Sequence, residues 1–192
     1  AVFVDIGTGE PGIINRVKGV PEGAKLIVQV VRDARDGKGP ALSMKPTLMG
    51  RYLSFTPGRK GLNWARAIGK GNTRAGLEGV IADVLDGMDG FSVRGPAAVV
   101  DKQVLQAEKH ALMDRWAAIE AAAEGKKEAP LALSPAPGLL ERLLMDADPE
   151  ARFALDDRAA FLQAEKHVAA GCPDLRGGRA FHKEASLFEA GG

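Results

Sequence analysis

Glycine and proline divide the first 46 residues into apolar runs that are too short for a helix of ordinary length. "AVFVDIG" ends in a Gly turn, "PGIINRV" follows it, and "KLIVQVVRD" is rich in β-branched residues. The connecting "RDGKGP" has the composition of a turn. Short strands without an intervening helix predict a small β-barrel of the OB type over residues 1–46. These residues hold too few strands to close that barrel, and the chain starts inside a strand without Met, so we expect the barrel to be truncated at its N-terminus.

The middle of the chain, about residues 47–128, combines strand and helix patterns. "RYLSFTPG" and "GFSVRG" are short strand candidates bounded by Gly and Pro. Between them, "TRAGLEGVIADVLDGM" has apolar residues at helical spacing. A longer helix is expected from Lys102 to about Gly125, because its apolar residues also recur with the helical period. This segment is therefore predicted to be an α+β domain.

The last third of the chain predicts two helices around a short strand. After a Pro- and Ala-rich connector, "GLLERLLMDADPE" is the first helix and "RFAL" is the strand candidate. "DDRAAFLQAEKHVAAG" is the second helix, which opens at an N-cap Asp and ends near Gly171. The whole chain is assigned to the α+β class, with three domains at residues 1–46, 47–128 and 129–192.

Basic residues concentrate in a segment from Gly37 to Leu77 that contains no Asp or Glu. The segment carries +8 although the whole chain carries +1, so the remainder is acidic at −7. Such a charge distribution attracts polyanions, and counterion release makes a phosphate backbone the natural partner. The alternative is a basic surface without a partner. The eight basic residues are Lys38, Lys45, Arg51, Arg59, Lys60, Arg66, Lys70 and Arg74.

Three aromatic residues, Tyr52, Phe55 and Trp64, lie within the most basic stretch, residues 51–71. On one interpretation they belong to a phosphate-facing wall, with Trp64 bracing its loop. On the other they form a small core and only the charged side chains meet a ligand. We favour the core interpretation for the aromatic residues and the ligand-binding interpretation for the charges.

The sequence lacks the patterns of a self-contained enzyme. There is no GxxxxGK[ST], GxSxG or HExxH motif. Asp83, Asp86 and Asp89 lie on or just after one helix, where a solvated face is a simpler explanation than a metal site. The histidines have no neighbouring carboxylate or metal-binding pattern, and surface or structural positions are expected for His110, His167 and His182.

Targeting and redox patterns are also missing. No apolar run approaches the roughly 20 residues that span a bilayer, and no signal-peptide pattern opens the chain. The single cysteine, Cys172, cannot form an internal disulfide, and no Cys/His cluster has zinc spacing. The expected location is therefore a reducing cytoplasm.

The order and spacing of several motifs resemble the ribonuclease E/G family. They are "AVFVDIG", "VPEGAKLIVQVV", "GRYLSFTPG", "GLNWARAI", "GFSVRG", "LLERLLMDADPE" and "LFEAGG". The resemblance covers nearly the whole chain, and it implies an OB-type RNA-binding domain, a sensor domain for a 5′-monophosphate on RNA, and part of an RNase H-like domain. It further implies that a DNase I-like catalytic domain, whose aspartates hold Mg²⁺, comes after the end of this chain. The resemblance thus implies no cofactor within this chain.

The resemblance also implies a 5′-phosphate pocket. Arg94 in "SVRG" matches the arginine that grips the phosphate, a role that suits the guanidinium fork. Gly95 stands where the family usually has Thr, so only a backbone N–H remains there. Arg66 in "WARAI" matches a basic position of the sensor loop, and Ser54 matches a residue that contributes its backbone.

A second implied site lies in the N-terminal domain. Phe3 matches a base-stacking aromatic residue and Lys38 matches a phosphate-contacting lysine, whereas Ile13 replaces the second stacking aromatic. Because stacking contributes roughly 1–3 kcal/mol per base, this replacement is expected to weaken RNA binding by about an order of magnitude. Three further basic residues complete the predicted RNA-binding set, namely Arg51, Arg59 and Lys60.

Three functions are consistent with these features. The first is the RNA-recognition portion of an Mg²⁺-dependent, single-strand-specific endoribonuclease, inactive without its catalytic domain. The second is a non-catalytic RNA-binding protein, and the third is a structural fragment whose basic face meets an acidic protein. The expected partner is single-stranded RNA. These features are also compatible with a homo-oligomer of the full-length protein.

Overall fold

The protein is described here by a computed structural model that covers residues 1–15, 17–35, 37–125 and 128–181. These ranges contain ten short β-strands in three sheets and four α-helices. The α+β class is therefore confirmed. His182 and the "LFEAGG" motif lie outside the described residues.

The N-terminal sheet has the strand order β1–β2–β4–β3. Its strands are β1 (Val2–Val4), β2 (Gly12–Ile14), β3 (Gln29–Arg32) and β4 (Ala41–Ser43). The β1–β2 and β3–β4 pairs are antiparallel, and β2 and β4 are parallel. In residues 1–15, 17–35 and 37–46 these strands do not close into a barrel, so the OB type stays a prediction.

The backbone packing of this sheet explains two details of the sequence. A Cβ atom on Gly39 would lie 2.0 Å from the Pro11 carbonyl oxygen, so only glycine fits there. The strand predicted over "KLIVQVVRD" begins only at Gln29, which pairs with Ser43 at the end of β4. The Ser43 hydroxyl accepts from the Lys45 amide in a turn, and the partner strand therefore offers no ladder to residues 25–28.

The central unit is a second four-stranded sheet covered by two helices. Its elements are β5 (Leu48–Met49), β6 (Leu53–Phe55), β7 (Asn63–Trp64), α1 (Asn72–Leu85), β8 (Phe91–Val93) and α2 (Lys102–Gly125). The strand order is β5–β6–β8–β7, and β8 is antiparallel to β6 and parallel to β7. Short 3₁₀ helices follow β7 and β8, at Arg66–Ile68 and Gly95–Val99.

The largest core lies between this sheet and its helices. Tyr52 and Phe55 are buried in it, and Trp64 packs against it half-buried, which agrees with the core interpretation of the three aromatic residues. Trp116 on α2 also packs against this core. The apolar stripe of α2 contributes Leu105, Leu112 and Ile119, which is why a 24-residue helix forms here.

The last unit has its own small core of Leu144, Ala164, Val168, Cys172 and Leu175. Its helices are α3 (Leu139–Asp146) and α4 (Arg158–Gly171), and its strands β9 (Phe153–Leu155) and β10 (Arg179–Phe181) are parallel. The predicted N-cap is present, since the Asp157 carboxylate accepts from the Ala160 amide at 2.6 Å. The RNase H-like topology stays a prediction. No described helix is both long enough and apolar enough to cross a membrane.

Candidate nucleic-acid interface

One face of the N-terminal sheet carries an exposed aromatic ring. The side chain of Phe3 is 67% exposed, and Phe3 lies directly opposite Ile13 in the β1–β2 pair. Lys38 is exposed at a tight turn, where its backbone exchanges two hydrogen bonds with Arg35 and where Gly37 adopts a positive φ of 71°. A single shallow depression is lined by Phe3, Glu10, Pro11, Ile13, Gly37, Lys38 and Gly39.

The parallel pairing of β7 and β8 brings the predicted phosphate-binding segments together. Trp64 pairs with Val93, and the next amide, that of Ala65, donates to the Val93 carbonyl at 2.8 Å. Because parallel strands end at the same edge, the two 3₁₀ helices that follow are neighbours, and a Cβ atom on Gly95 would meet Ala67 at 3.5 Å. Arg66 is exposed on the first of these helices. The structure thus places the Arg66 segment beside the Gly95 segment.

The guanidinium of Arg94 already has two acceptors within the protein. Nη1 donates to the Gly50 carbonyl, and Nη2 donates to Oδ1 of Asp146 at 2.5 Å. The Arg94 side chain is 18% exposed, whereas the Asp146 carboxylate at the end of α3 is 69% exposed. Arg94 is therefore mostly buried, with one partner enclosed by the protein and one partner exposed to solvent.

Ser54 is buried in the middle of β6 and is not presented to a ligand. It pairs with Ser92 of β8 on one side and with Met49 of β5 on the other. Its main chain lies between two neighbouring strands. A contribution of the Ser54 backbone to the phosphate pocket stays a prediction.

Arg51 is buried, and its position corrects the expectation that it contacts RNA. Its side chain is only 1% exposed, and its Nη1 donates to the carbonyl oxygens of Leu144 and Ala147 at 2.7 and 2.8 Å. Nε lies 3.0 Å from both carboxylate oxygens of Asp174, and Nη2 forms an ion pair with the same group. Arg51 therefore joins the central unit to the last unit of the chain.

The carboxylate of Asp174 is the centre of this buried contact. It also accepts from the Tyr52 hydroxyl at 2.5 Å. Burial alone raises the pKa of Asp174, but hydrogen bonds from Arg51 and Tyr52 outweigh it and hold that pKa below its usual value. Burial raises the pKa of the Tyr52 hydroxyl and raises the pKa of the neighbouring Cys172 thiol to about 11. Cys172 is thus a buried, protonated thiol at neutral pH.

A second carboxylate, that of the half-buried Glu108 on α2, binds the turn before β6. Its Oε1 accepts from the Arg51 amide at 2.6 Å, and its Oε2 accepts from the Tyr52 and Leu53 amides at 2.8 and 2.6 Å. Burial raises the pKa of Glu108, and these three amide hydrogen bonds oppose that rise. The sequence carried one signal for this residue, since Glu108 interrupts the apolar stripe between Leu105 and Leu112. Asp146 lies within "LLERLLMDADPE", but nothing there marks it as the partner of Arg94, and Asp174 lies in no recognisable motif.

The two remaining predicted RNA-binding residues differ in their exposure. Arg59 is half-buried, and its Nη2 donates to the Phe91 carbonyl at 2.6 Å and to the Ser92 hydroxyl at 2.7 Å. Lys60 is 93% exposed and lies 3.4 Å from the Asp89 carboxylate. Arg59 therefore braces the loop before β7, and Lys60 extends from that loop into solvent.

Arg74 is the third basic residue of the Gly37–Leu77 segment, after Arg51 and Arg59, whose side chain is at least half-buried. The Arg74 guanidinium lies 4.9 Å from the centroid of the Trp64 ring, and its Nε donates to Glu78 at 2.9 Å. The exposed cations of the segment, which lies wholly within a described range, are Lys38, Lys45, Lys60, Arg66 and Lys70. Five of the eight basic residues counted in the sequence therefore face solvent.

A carboxylate cluster for a metal ion is not found in the described ranges. Within residues 1–15, 17–35, 37–125 and 128–181, no group of three or more His, Cys, Asp or Glu side chains lies close enough together to hold one. Asp83, Asp86 and Asp89 are all exposed, and Asp83 instead accepts from Lys102 at 3.0 Å. These residues do not fit an Mg²⁺ site.

Comparisons with a family model and with individual relatives point to the same protein family. Residues 47–191 match the sequence model of the Ribonuclease E/G family. Ribonuclease G of Escherichia coli (strain K12) is 34% identical over 97 residues, which is 50% of this chain and 20% of that protein. Ribonuclease E of Nostoc sp. is 29% identical over 122 residues, covering 64% and 18% of the two chains. Ribonuclease E of Haemophilus influenzae is 27% identical over 158 residues, covering 80% and 17%.

These alignments cover only a part of each relative. The chain spans about a fifth of the length of the curated relatives that it matches. The H. influenzae alignment covers most of this chain, so the similarity is not confined to one motif.

Proposed function

Because this chain belongs to the ribonuclease E/G family, we propose that it is the RNA-recognition portion of an endoribonuclease of this type. It binds single-stranded RNA, and it recognises a 5′-monophosphate at a second site. In this proposal residues 1–46 are an OB-type domain and residues 129–192 an RNase H-like subdomain, in a cytoplasmic protein. Since the described residues offer no fitting carboxylate cluster, RNA remains uncut by this chain alone.

The observation that carries the proposal is the exposed Phe3 ring beside Lys38 in one depression. An aromatic ring that is 67% exposed gains little from the protein's own core, but its face is free for stacking with a base. A lysine at the rim of the same depression supplies the positive charge that the adjoining phosphate requires. Ile13 extends the apolar floor without adding a second π-face.

The second part of the proposal concerns the 5′ end. Arg66 and Arg94 follow the paired ends of β7 and β8, and Gly95 between their segments leaves room for a close approach of phosphate. A guanidinium fork suits a terminal phosphate because it donates two hydrogen bonds in one plane. Without the Thr hydroxyl, the preference for a 5′-monophosphate is weaker than the family pattern implies.

Replacing the stacking ring tests the proposal directly. Phe3→Ala is expected to weaken the binding of an A/U-rich single-stranded oligonucleotide by at least fivefold, since stacking contributes roughly 1–3 kcal/mol per base. The measurement is fluorescence anisotropy at fixed salt concentration. Val31→Ala is the matched control, because Val31 is a similarly exposed apolar residue on the same sheet that lies outside the depression.

Three results would count against the proposal. Equal affinities of the Phe3 and Val31 variants would remove the depression from the RNA-binding surface. Binding of an acidic protein but not of RNA would favour a partner-binding fragment. Cleavage of the oligonucleotide by rigorously purified protein in the presence of Mg²⁺ would show that the chain is an active nuclease by itself.

A further inference from the structure

We propose that Asp146 is an internal competitor for the phosphate-binding guanidinium of Arg94. This inference rests on the proposed 5′-phosphate site and adds a determinant of its affinity. In the structure the carboxylate of Asp146 accepts a hydrogen bond from Nη2 of Arg94 at 2.5 Å. A terminal phosphate that takes the Nη2 N–H now donated to Asp146 therefore has to displace this carboxylate.

The two partners of Arg94 are not equally replaceable. Nη1 donates to the carbonyl of Gly50, a residue enclosed by the Glu108 carboxylate, which a Cβ atom on Gly50 would approach to 2.6 Å. The Gly50 amide also donates to the Leu53 carbonyl at 2.9 Å. Gly50 is therefore fixed, and it orients the guanidinium. Only the Nη2 side of the fork can exchange its partner.

The carboxylate of Asp146 is placed so that it can separate from the Arg94 guanidinium. Its carboxylate is 69% exposed, and ion pairs that face water contribute little because solvent screens them. Asp146 is also the last residue of α3, where the partial negative charge of the helix end disfavours a carboxylate. The Arg94 pair offsets this unfavourable position in the absence of a ligand.

The displacement does not require α3 to leave the central unit. Arg51 binds the Leu144 and Ala147 carbonyls on either side of Asp146, and it is anchored by Asp174. The end of α3 thus keeps its buried contact when the Asp146 carboxylate rotates into solvent. The exchange is a local event at the surface, in which one anion replaces another.

Asp146 thereby sets the threshold for phosphate recognition. A terminal phosphomonoester carries about −1.5 to −2 charges at neutral pH and three acceptor oxygens. A 5′-hydroxyl end brings no charge with which to replace the carboxylate. We infer that the Asp146 carboxylate lowers the affinity for 5′-monophosphorylated RNA and leaves that for 5′-hydroxyl RNA nearly unchanged.

Asp146→Ala tests the inference in the full chain. The probes are one single-stranded oligouridylate with a 5′-monophosphate and the same oligonucleotide with a 5′-hydroxyl. We expect the variant to bind the monophosphorylated probe about fivefold more tightly or better, the lower limit of typical coupling between competing sites. Asp148→Ala is the matched control, because Asp148 is exposed nearby and its removal changes the net charge equally. Both variants should retain the cooperative thermal unfolding of the parent.

The outcomes separate this inference from the proposed function. If the unmodified chain prefers the monophosphorylated probe and Asp146→Ala changes both probes as Asp148→Ala does, the competition is refuted and the phosphate site stands. If neither the unmodified chain nor Asp146→Ala binds the two probes with different affinity, both the phosphate site and the competition are refuted. Adding Arg94→Ala to Asp146→Ala should abolish the gain, and a gain that survives this second change would also refute the competition.

Discussion

Two arginines at one end of the central sheet have opposite environments. The Arg94 amide donates to the Tyr52 carbonyl, so Arg94 lies directly beside the Arg51–Tyr52 backbone. Arg51 is nevertheless buried against Asp174, whereas Arg94 reaches the surface and pairs with an exposed carboxylate. Each residue lies beside a short strand candidate, Arg51 in "RYLSF" and Arg94 in "GFSVRG", and the local sequence does not distinguish their environments. The difference arises from acids more than 50 residues further along the chain.

The stability of the molecule should depend strongly on Asp174. Asp174→Asn leaves the buried Arg51 without its anion and weakens the acceptor of the Tyr52 hydroxyl. Breaking one partner of a buried ion pair typically costs about 3–5 kcal/mol of unfolding free energy, and we expect a loss in this range from urea denaturation. The exposed Asp148→Asn change should stay within about 0.5 kcal/mol of the parent. A loss below about 1 kcal/mol for Asp174→Asn would contradict the buried pairing.

The same variant should alter the response to acid. The pKa of Asp174 is held below its ordinary value of 3.8 in the folded state, so its contribution to stability is present above that value. This contribution is lost as the pH falls through the folded-state pKa, because the ionised form is the one that the fold favours. The unfolding free energy of the parent should therefore approach that of Asp174→Asn as the pH is lowered below 3.8.

At the scale of elements, most helices could be predicted because their periodicity and end signals are local. The α2 bounds, Lys102–Gly125, and the Asp157 N-cap of α4 follow from the order of residues alone. The two-residue strands β5 and β7 could not be predicted, since so short a run has no period and exists only by pairing with β6 and β8. The convergence of the Arg66 and Arg94 segments depends on that pairing.

The turn at Gly50 is the element whose geometry is most tightly restricted. A Cβ atom there would lie 2.6 Å from the Glu108 carboxyl carbon and 2.9 Å from the Leu53 carbonyl oxygen. Gly50→Ala should therefore lower the unfolding free energy by about 1–3 kcal/mol, the usual cost of overpacking. Gly79→Ala in α1 meets nothing within 4 Å and should raise it by about 0.5–1 kcal/mol. Urea denaturation of both variants measures the contrast, and equal effects would refute it.

At the scale of the whole molecule, counting charges in the sequence overestimates the surface available to RNA. The basic segment holds eight cations, but Arg51 is buried and Arg59 and Arg74 are half-buried with partners of their own. Charge patterning identified the basic segment, and its use by RNA stays a prediction. It could not predict how many of the side chains are used inside the fold, because that depends on tertiary contacts.

The salt dependence of RNA binding should reflect the exposed cations. The five exposed basic residues of the segment should together contribute at most about −3.5 to the slope of log K against log[salt], at about −0.7 per phosphate contact on a single strand. Titrations between 50 and 300 mM salt, roughly, measure it. Lys38→Gln should reduce the slope by about 0.7, and Lys166→Gln, an exposed lysine on α4 outside the segment, should leave it unchanged. A flat titration would indicate a different role for the basic surface.

The contact of Arg51 with Asp174 also bears on how separable the three predicted domains are. Removing everything after residue 128 would leave a guanidinium that is now 1% exposed without its carboxylate and without the two carbonyls at the end of α3. The units on the two sides of the predicted boundary between residues 128 and 129 therefore share this buried contact, and the domain division itself stays a prediction. The central and last units are therefore expected to be inherited and exchanged together. Recombination between them would leave the buried Arg51 guanidinium without its carboxylate partner.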